Sequence, residues 1–563
     1  MVPNDFGGVF ASRTPPGVAL RDLGLEPAWQ GDRLALGGAP VWAHPDGSVV
    51  VSGELVLDNH RELESELALP SVEPHRLVAE LYRRDGPAAI RLLQGMFALA
   101  IWDSARGSVL LARDSLGART LYYATDGSGW WFSARLHRLR RAPCVSGAIS
   151  LTAMRNYLTY AYVPGSETLW RDVRELRPGT TMTLPRGQID SFWEPNEGQW
   201  DPAEPITEQA MRLRAALEDA VRVRLPEVGP VGVLLSGGLD SSVVTALSAR
   251  QAPGRVHTYS VHFGANLPNE LAFSGLVATH CGTSHHVLEL GSREMQASLA
   301  DTMESLDDPI GDPLTVPNLL LARMASADVA VLLNGEGGDP CFGGPKNLPM
   351  LLHTLYSPRA SQEQTYLRAY HKCYEDLPRL LSPDVRRQLE NAEPQEKLLW
   401  PFLRDSGMSH YLNQLTHLNV SLKGADHILT KVNNLTTAAG VLGRSPFFDR
   451  RVVDMSFKIP PARKLDGAEE KAIVKHATAD LLPEAILRRP KSGMRVPVQH
   501  WFGKELRPLA ARMLLDSRSR TRPYLNAALV REWVSLSGDG RTRYGSKLWL
   551  LLSLEVWLRS HEA

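Results

Sequence analysis

The sequence predicts two domains in series. An α+β domain of sheets covered by helices comes first, and an α/β domain with a doubly wound parallel sheet and a helical C-terminal part follows. Three observations carry this. At 563 residues the chain exceeds the ~250–300 at which single cores stop growing. Residues 1–194 are rich in short apolar or alternating runs, whereas residues 206–563 begin with strands that alternate with helices. Between them, residues 195–205 read P-N-E-G-Q-W-D-P-A-E-P, a polar, breaker-rich stretch expected to link the domains.

In the first domain, Val49–Val51, Phe97–Trp102, Val109–Ala112 and Leu121–Tyr123 read as strands separated by Gly, Asp and Ser. Asn59–Leu67 and Pro74–Arg84 place apolar residues at intervals of three and four, as helices do. Sheets covered by helices account for both patterns. In the second domain a helix over Thr207–Leu225 leads to the strand Val231–Leu235, a glycine turn and a helix over Ser242–Arg250. The strand Val256–Phe263, the helix Glu270–Cys281 and the strand Val329–Leu333 continue the alternation, which indicates a doubly wound parallel sheet. Beyond about Pro349 the pattern is helical and no further sheet is expected. The charged runs Arg171–Arg177 and Glu289–Glu294 read as solvated. His285-His286, with no third ligand nearby in sequence, reads as surface or core rather than metal site.

Composition excludes several classes. Lys plus Arg and Asp plus Glu each total 62, so no basic excess points to nucleic acid or an anionic membrane. No apolar run approaches the ~20 residues that span a bilayer, and the start, Met1 to Phe6, lacks a signal-peptide pattern. Four cysteines (Cys144, Cys281, Cys341, Cys373) without C-x-x-C spacing suit a cytoplasmic protein with reduced thiols.

The sharpest chemical feature is Leu235-Ser236-Gly237-Gly238-Leu239-Asp240-Ser241-Ser242. It follows an apolar strand and opens a helix. Glycines there let the backbone approach an anion, and free amides at the helix start point toward it. Ser236, Ser241 and Ser242 add hydroxyl donors. A carboxylate beside phosphate needs an intervening cation, so Asp240 reads as a Mg²⁺ ligand. The bland alternative is a strand-to-helix turn with capping serines, which a lone Gly-Gly pair would warrant but the full S-G-G-L-D-S-S string in this setting outweighs. No Gly-Lys-Ser/Thr follows, so this is not a Walker loop.

The string resembles the pyrophosphate-binding loop of the ATP pyrophosphatase superfamily, and within it the asparagine synthetase family, over nearly the whole chain. Asn334-Gly335-Glu336-Gly337-Gly338-Asp339 is similar to the family's S-G-E-G-x-D element, Ser445–Asp449 to V-P-F-L-D, and Arg488–Gly493 to R-R-P-K-x-G. The resemblance implies ATP and Mg²⁺. It makes Asp339 a second metal ligand, places Leu235, Val261, Asn334 and Gly335 near the nucleotide, assigns Glu336 proton removal from the attacking amine, and sets Lys471 against the α-phosphate. On its own, a lone lysine in Glu469-Glu470-Lys471 reads as a solvated helix face.

The first domain also resembles this family. Gln94–Asp103 is similar to D-G-M-F-A-x-A-x-x-D, Arg113–Tyr123 to R-D-x-L-G-x-x-P-L-Y-Y, and Ser52-Gly53-Glu54-Leu55 to N-G-E-I. The resemblance implies a glutaminase-like αββα sandwich of the N-terminal-nucleophile type. Its chemistry is expected to be lost. No cysteine precedes Cys144, Ser52 replaces the family Asn, and neutral Gln94 replaces an Asp that pairs the substrate ammonium. Ser12 or Thr14 would need proteolytic trimming to serve as nucleophiles. A retained scaffold, with Glu54 kept, is the simpler reading.

The second domain departs from the family at Asn433 and Asn434 (commonly Asp-Arg), at Leu442 (commonly Glu) and at Pro340-Cys341. The expectation is therefore an AMP-forming carbon–nitrogen ligase of specialised metabolism that joins a small-molecule or peptide carboxylate to an amine donor. Alternatives are asparagine synthesis from ammonia or glutamine, β-lactam, macrolactam or hydroxamate formation, and a degenerate, non-enzymatic regulatory or interaction subunit. Homodimer formation stays open.

Overall fold

Alternating side chains in the N-terminal half build two antiparallel sheets. The computed structural model describes residues 5–201, 203–264, 267–357, 361–369, 372–489, 493–538 and 543–561. One sheet has the spatial order Arg174–Glu175, Tyr122–Thr125, Trp130–Ser133, Gly7–Phe10, Leu34–Gly37 and Pro27–Gln30. The other runs Gln188–Ser191, Thr180–Leu184, Ser108–Arg113, Gly95–Asp103, Val49–Leu57 and Val41–Ala43. Successive side chains point to opposite faces, so Val50, Ala98, Ala100 and Leu111 meet Phe6, Phe10, Leu34 and Leu36 between the sheets. Val51, Leu99 and Ile101 face outward onto Leu77, Leu81 and Ile90 of the covering helices. Helix Pro16–Asp22 packs on the other sheet. The layers are α/β/β/α, the expected sandwich.

The compact units do not follow a single cut in the chain. The first contains residues 1–150, 165–195 and 424–433, and the second 151–164, 196–423 and 434–563. The division at 1–194 and 206–563 is thus modified by two exchanged segments, neither marked by composition. In the first unit, the run Arg171–Arg177 is not simply solvated. Glu175 is buried against Arg113 at 2.9 Å, and Arg177 reaches the buried Asp426 at 2.7 Å. Met1 to Asn4, which open the chain, lie outside the described residues.

The second unit is built on five parallel strands, β1 (Val231–Leu234), β2 (Val256–His262), β3 (Ser284–Glu289), β4 (Val331–Leu333) and β5 (Leu442–Arg444), in the order 3-2-1-4-5. This is the doubly wound arrangement. β3 and β5 were not expected. β3 carries charged and histidine residues on an edge, and β5, Leu-Gly-Arg, is too short for a periodic signal. A two-residue hairpin, Leu465–Asp466 with Glu469–Glu470, is also present beyond Pro349. Helix Ile206–Arg222 buries Ala210, Leu213, Leu217 and Val221 at helical spacing and ends three residues before the expected Leu225. The final helix, Gly545–His561, is enclosed from Leu548 to Leu558, where leucine and tryptophan dominate and the buried Glu555 accepts from Ser519 Oγ at 2.8 Å and from Thr521 N at 2.8 Å.

The breaker-rich stretch lies almost wholly within that unit and is pinned to it rather than a loose tether. Glu197 accepts hydrogen bonds from Ser409 N and Oγ at 2.6 and 2.7 Å and from Asn413 Nδ2, and Gly198 N donates to Phe457 O at 3.2 Å. Asn413 in turn accepts from Nζ of Lys464 at 2.8 Å. Lys464 is fully buried, and burial pulls its ammonium down to about 7. The unfolded chain therefore binds the extra proton between about pH 7 and the ordinary lysine value, so stability rises with pH across that window. Lys464→Met should flatten this rise by an amount on the order of a few kcal/mol. Denaturant midpoints of both proteins at pH 7, 8.5 and 10 check it, and parallel pH curves would contradict it.

Candidate functional site

The order of the sheet reverses between β1 and β4, and α/β folds bind ligands at the carboxyl ends of the strands at such a switch. β1 runs into Leu235–Gly238 and β4 into Asn334–Asp339, so the two motifs are neighbours by topology. The helix after β1 begins at Leu239, not Ser242, which places Asp240, Ser241 and Ser242 in its first turn. Gly237 has φ +75°, and a Cβ there would lie 2.6 Å from Ser274 N, so both conformation and space demand glycine. Ser236 and Ser241 brace the turn, with their hydroxyls 3.1 Å apart and Ser241 Oγ donating to Gly238 O at 3.1 Å. Ser242 is fully enclosed and its hydroxyl has no hydrogen-bond partner among the described residues. Only Ser236 and Ser241 remain at the loop.

Three charged side chains converge there. Lys471 Nζ donates to Asp240 Oδ2 at 2.5 Å and also pairs with Asp339 Oδ1. Lys471 is buried, not on a solvated helix face. It adopts φ +56° as the residue immediately before helix Ala472–Thr478. A left-handed lysine costs about 1–3 kcal/mol, the kind of strain that clusters at functional sites. Gly338 permits the approach, because a Cβ on it would lie 2.3 Å from Asp240 Cγ. The two carboxylates thus meet at one cation. Hard oxygen donors gathered in this way fit Mg²⁺.

The predicted nucleotide-side residues surround this point. Leu235 and Val261 are buried, and Gly335 lies against the Asp240–Ser241 backbone. Asn334 Oδ1 accepts from Glu336 N at 3.0 Å and shapes the turn. Glu336 is half-buried, and its carboxylate makes no ion pair among the described residues.

A cavity of about 540 Å³ opens beside the helix start, lined by Gly238, Leu239, Lys471, Lys475, Arg488 and Arg489. Four cations outnumber the two carboxylates, Glu469 and Glu470, that also line it, so it is net positive and suited to a polyanion. Sequence reasoning gave Lys475 and Arg489 no individual role. Lys475 lies one helical turn beyond Lys471, a spacing that could have revealed it. Arg489 donates to Gly237 O at 3.1 Å, pairs with Glu270 and stacks over Phe273 at 3.9 Å, clamping the loop from outside. Pro490, Lys491 and Ser492 of the same motif lie outside the described residues.

Two further motifs support the site without lining it. Phe447 and Phe448 pack on Gly337, and buried Cys341 sits 3.7 Å from Phe447 O. Asp449 accepts from Arg224 at 2.7 Å and from Arg451 at 2.9 Å, and caps helix Arg450–Lys458 through Arg451 N. Asn434 donates to buried Asp307 at 2.9 Å.

In the first unit, Ser52 Oγ donates to Pro40 O at 3.1 Å, Glu54 pairs with Arg119 at 3.2 Å, and Gln94 N donates to Asn59 Oδ1 at 3.1 Å. Arg119 also donates to Asn433. Asn433 and Asn434 thus each spend one amide atom on an internal hydrogen bond, while Asn433 Nδ2 and Asn434 Oδ1 are buried without a partner among the described residues. Burial raises the Cys144 thiol to about 11, the reverse of an activated thiol.

The asparagine synthase family model matches residues 212–559, and a glutamine amidotransferase domain model matches residues 35–193. Asparagine synthetase [glutamine-hydrolyzing] 1 of Bacillus subtilis is 26% identical over 543 residues, covering 90% of this chain and 85% of its own. Asparagine synthetase B [glutamine-hydrolyzing] of Escherichia coli is 26% identical, covering 91% and 86%. A solved glutamine phosphoribosylpyrophosphate amidotransferase from B. subtilis matches at 13% identity and TM-score 0.24, covering 45% of this chain and 64% of that one.

Proposed function

Because the chain belongs to the asparagine synthase family of ATP-dependent ligases, we propose that it adenylates a substrate carboxylate and passes the acyl group to a nitrogen nucleophile that its N-terminal unit does not generate. Such a division of labour suits specialised rather than primary metabolism. The observation that supports this reading best is the convergence of Asp240, Asp339 and Lys471 at the start of the phosphate-loop helix. A carboxylate oxygen attacks the α-phosphorus of ATP, the bond to the bridging oxygen breaks, and pyrophosphate departs. The nitrogen nucleophile then attacks the acyl carbon, AMP leaves, and Glu336 accepts the proton from nitrogen.

Asp240 and Asp339 would hold Mg²⁺, which when bound neutralises charge on the departing phosphates. The glycine turn and the first-turn amides receive the pyrophosphate. Lys471 balances the charge that builds on the α-phosphate. ATP–pyrophosphate exchange across amino acids, peptides and other carboxylic acids, with no amine present, tests the reading. Exchange that depends on one carboxylate class is expected, and its absence with every acid would favour a non-enzymatic subunit.

Lys471→Ala should lower the rate constant for adenylation by ~10²-fold or more while changing the Michaelis constant for ATP little, since the lysine acts mainly as charge develops. A variant altered only in apparent ATP affinity would argue for plain ground-state binding.

Glutamine should not serve as nitrogen source. Cys144 is the one cysteine within the first unit, and its thiol is raised rather than activated. Ser52 is already engaged by Pro40 O, and Gln94 offers no charge for the glutamine ammonium. Glutamate release from glutamine, measured with and without ATP and a competent acid, should stay at background. Turnover near ~1 s⁻¹, ordinary for enzymes, would return glutamine-dependent amidation to first place.

A further inference from the structure

Away from the glycine turn, toward the amino ends of the strands, three ligand-type side chains meet. Tyr259 of β2 lies opposite His286 of β3, and Thr258 lies opposite His285. Strand periodicity sends the two adjacent histidines to opposite faces. His285 Nδ1 turns to the Thr258 hydroxyl at 2.9 Å. His286 joins the face shared by His257 and Tyr259, where its Nε2 lies 3.2 Å from His257 Nδ1. The two rings are 7° from parallel with centroids 5.4 Å apart. The nitrogen contact is shorter than that by about two ring radii, so the rings meet edge to edge, nitrogen toward nitrogen. Asp328, exposed in the turn before β4, completes a set in which one ligand atom from each residue lies within 4.8 Å of the others. Of the adjacent pair only His286 belongs to this set, and the fold supplies its two partners, His257 and Asp328, from distant positions in the sequence.

The surroundings hold these groups in place. Tyr259 is fully buried, stacks on His286 at 4.9 Å, and donates its hydroxyl to Asp328 Oδ2 at 3.0 Å. Gly232 of β1 leaves room for that ring, since a Cβ there would lie 3.2 Å from it. A carboxylate ligand fixed by a second hydrogen bond is a recurring feature of metal sites.

We propose that His257, His286 and Asp328 bind a first-row divalent transition metal, with Zn²⁺ as the natural probe. Two imidazoles and one carboxylate favour zinc, copper or nickel over Mg²⁺. With Zn–N bonds of ~2.0–2.1 Å, neighbouring ligands of a tetrahedral shell lie ~3.4 Å apart, close to the spacing of the two imidazole nitrogens. Exposed Asp328 closes on the ion by side-chain rotation, and the fourth position faces solvent. The ion would tie β2, β3 and the turn before β4 together, so its effect falls on the stability of the second unit. The site is independent of the proposed ligase chemistry and uses none of its residues.

Chelator-treated full-length protein is titrated with Zn²⁺ against a chromophoric chelator, and its thermal midpoint is followed with Zn²⁺ and with Mg²⁺. One Zn²⁺ per chain at this site and a midpoint raised by Zn²⁺ alone are expected. His257→Ala and His286→Gln should each weaken binding at least ~100-fold, and Tyr259→Phe ~10-fold. His285→Ala, on the other face, should leave binding unchanged. No stoichiometric binding by the wild type, binding that survives both histidine substitutions, or equal loss in His285→Ala would overturn the site.

Discussion

Asp240→Ala is expected to eliminate carboxylate-dependent pyrophosphate release while the folded protein persists. The residue lies in the first turn of the phosphate-loop helix, and its carboxylate shares the Lys471 ammonium with Asp339. Its loss removes half of the acidic pair proposed to hold Mg²⁺ and forfeits charge stabilisation worth ~10²-fold or more in rate. The fold should tolerate the change, because Asp339 still balances the buried lysine. Asp240→Asn separates charge from shape, since it keeps the side-chain volume beside Gly338 and should be almost as inactive. Exchange assays at saturating ATP together with thermal midpoints decide the matter, and turnover near wild type in either variant would remove Asp240 from the metal site.

The largest loss of stability is expected at Asp449. Burial alone would raise its carboxyl, but Arg224 and Arg451 outweigh burial and hold it well below the usual carboxylate range. Arg224 is almost wholly enclosed. Removing the carboxylate deprives this buried guanidinium of the Asp449 counter-charge, leaving its bond to Ala220 O, and loss of one partner of a buried pair costs about 3–5 kcal/mol. Asp449→Asn keeps an oxygen for the helix cap and should lose most of that amount. Asp449→Ala should lose a further ~1 kcal/mol from the cap. Urea midpoints of the three proteins provide the test, and a loss under ~1 kcal/mol in Asp449→Asn would show that Arg451 or solvent rescues Arg224.

Legibility in the sequence tracked separation along the chain. The glycine turn, Asp240 and the Asn334–Asp339 element could be read because adjacent residues at a strand end place themselves. Sheets covered by helices and the parallel sheet followed from period-two runs and alternating helices, whereas the αββα layering followed only from the family resemblance. The burial of Lys471 could not be read, since it depends on a left-handed backbone and two carboxylates supplied by distant turns. Arg489 looked like one cation in a basic motif until the fold set it against Gly237 O. Asp449 matched a site motif, yet its partners, Arg224 and Arg451, make it an anchor of helix packing. β5 escaped notice because three residues carry no period. His257, His286 and Asp328 share a face only after strand register and a turn bring them together.

Residues 424–433 belong to the first unit but are synthesised long after the rest of it. During translation the antiparallel sheets emerge first, but Asp426, the buried partner of Arg177, and Asn433, the partner of Arg119, follow only after most of the parallel-sheet unit has been made. At ~5–20 residues per second the ribosome needs roughly tens of seconds to cross that interval. For that time the nascent sandwich holds two arginines without these polar partners. Its completion therefore waits for the later unit, and a fragment released at the breaker-rich stretch would be a clipped folding intermediate rather than a finished domain.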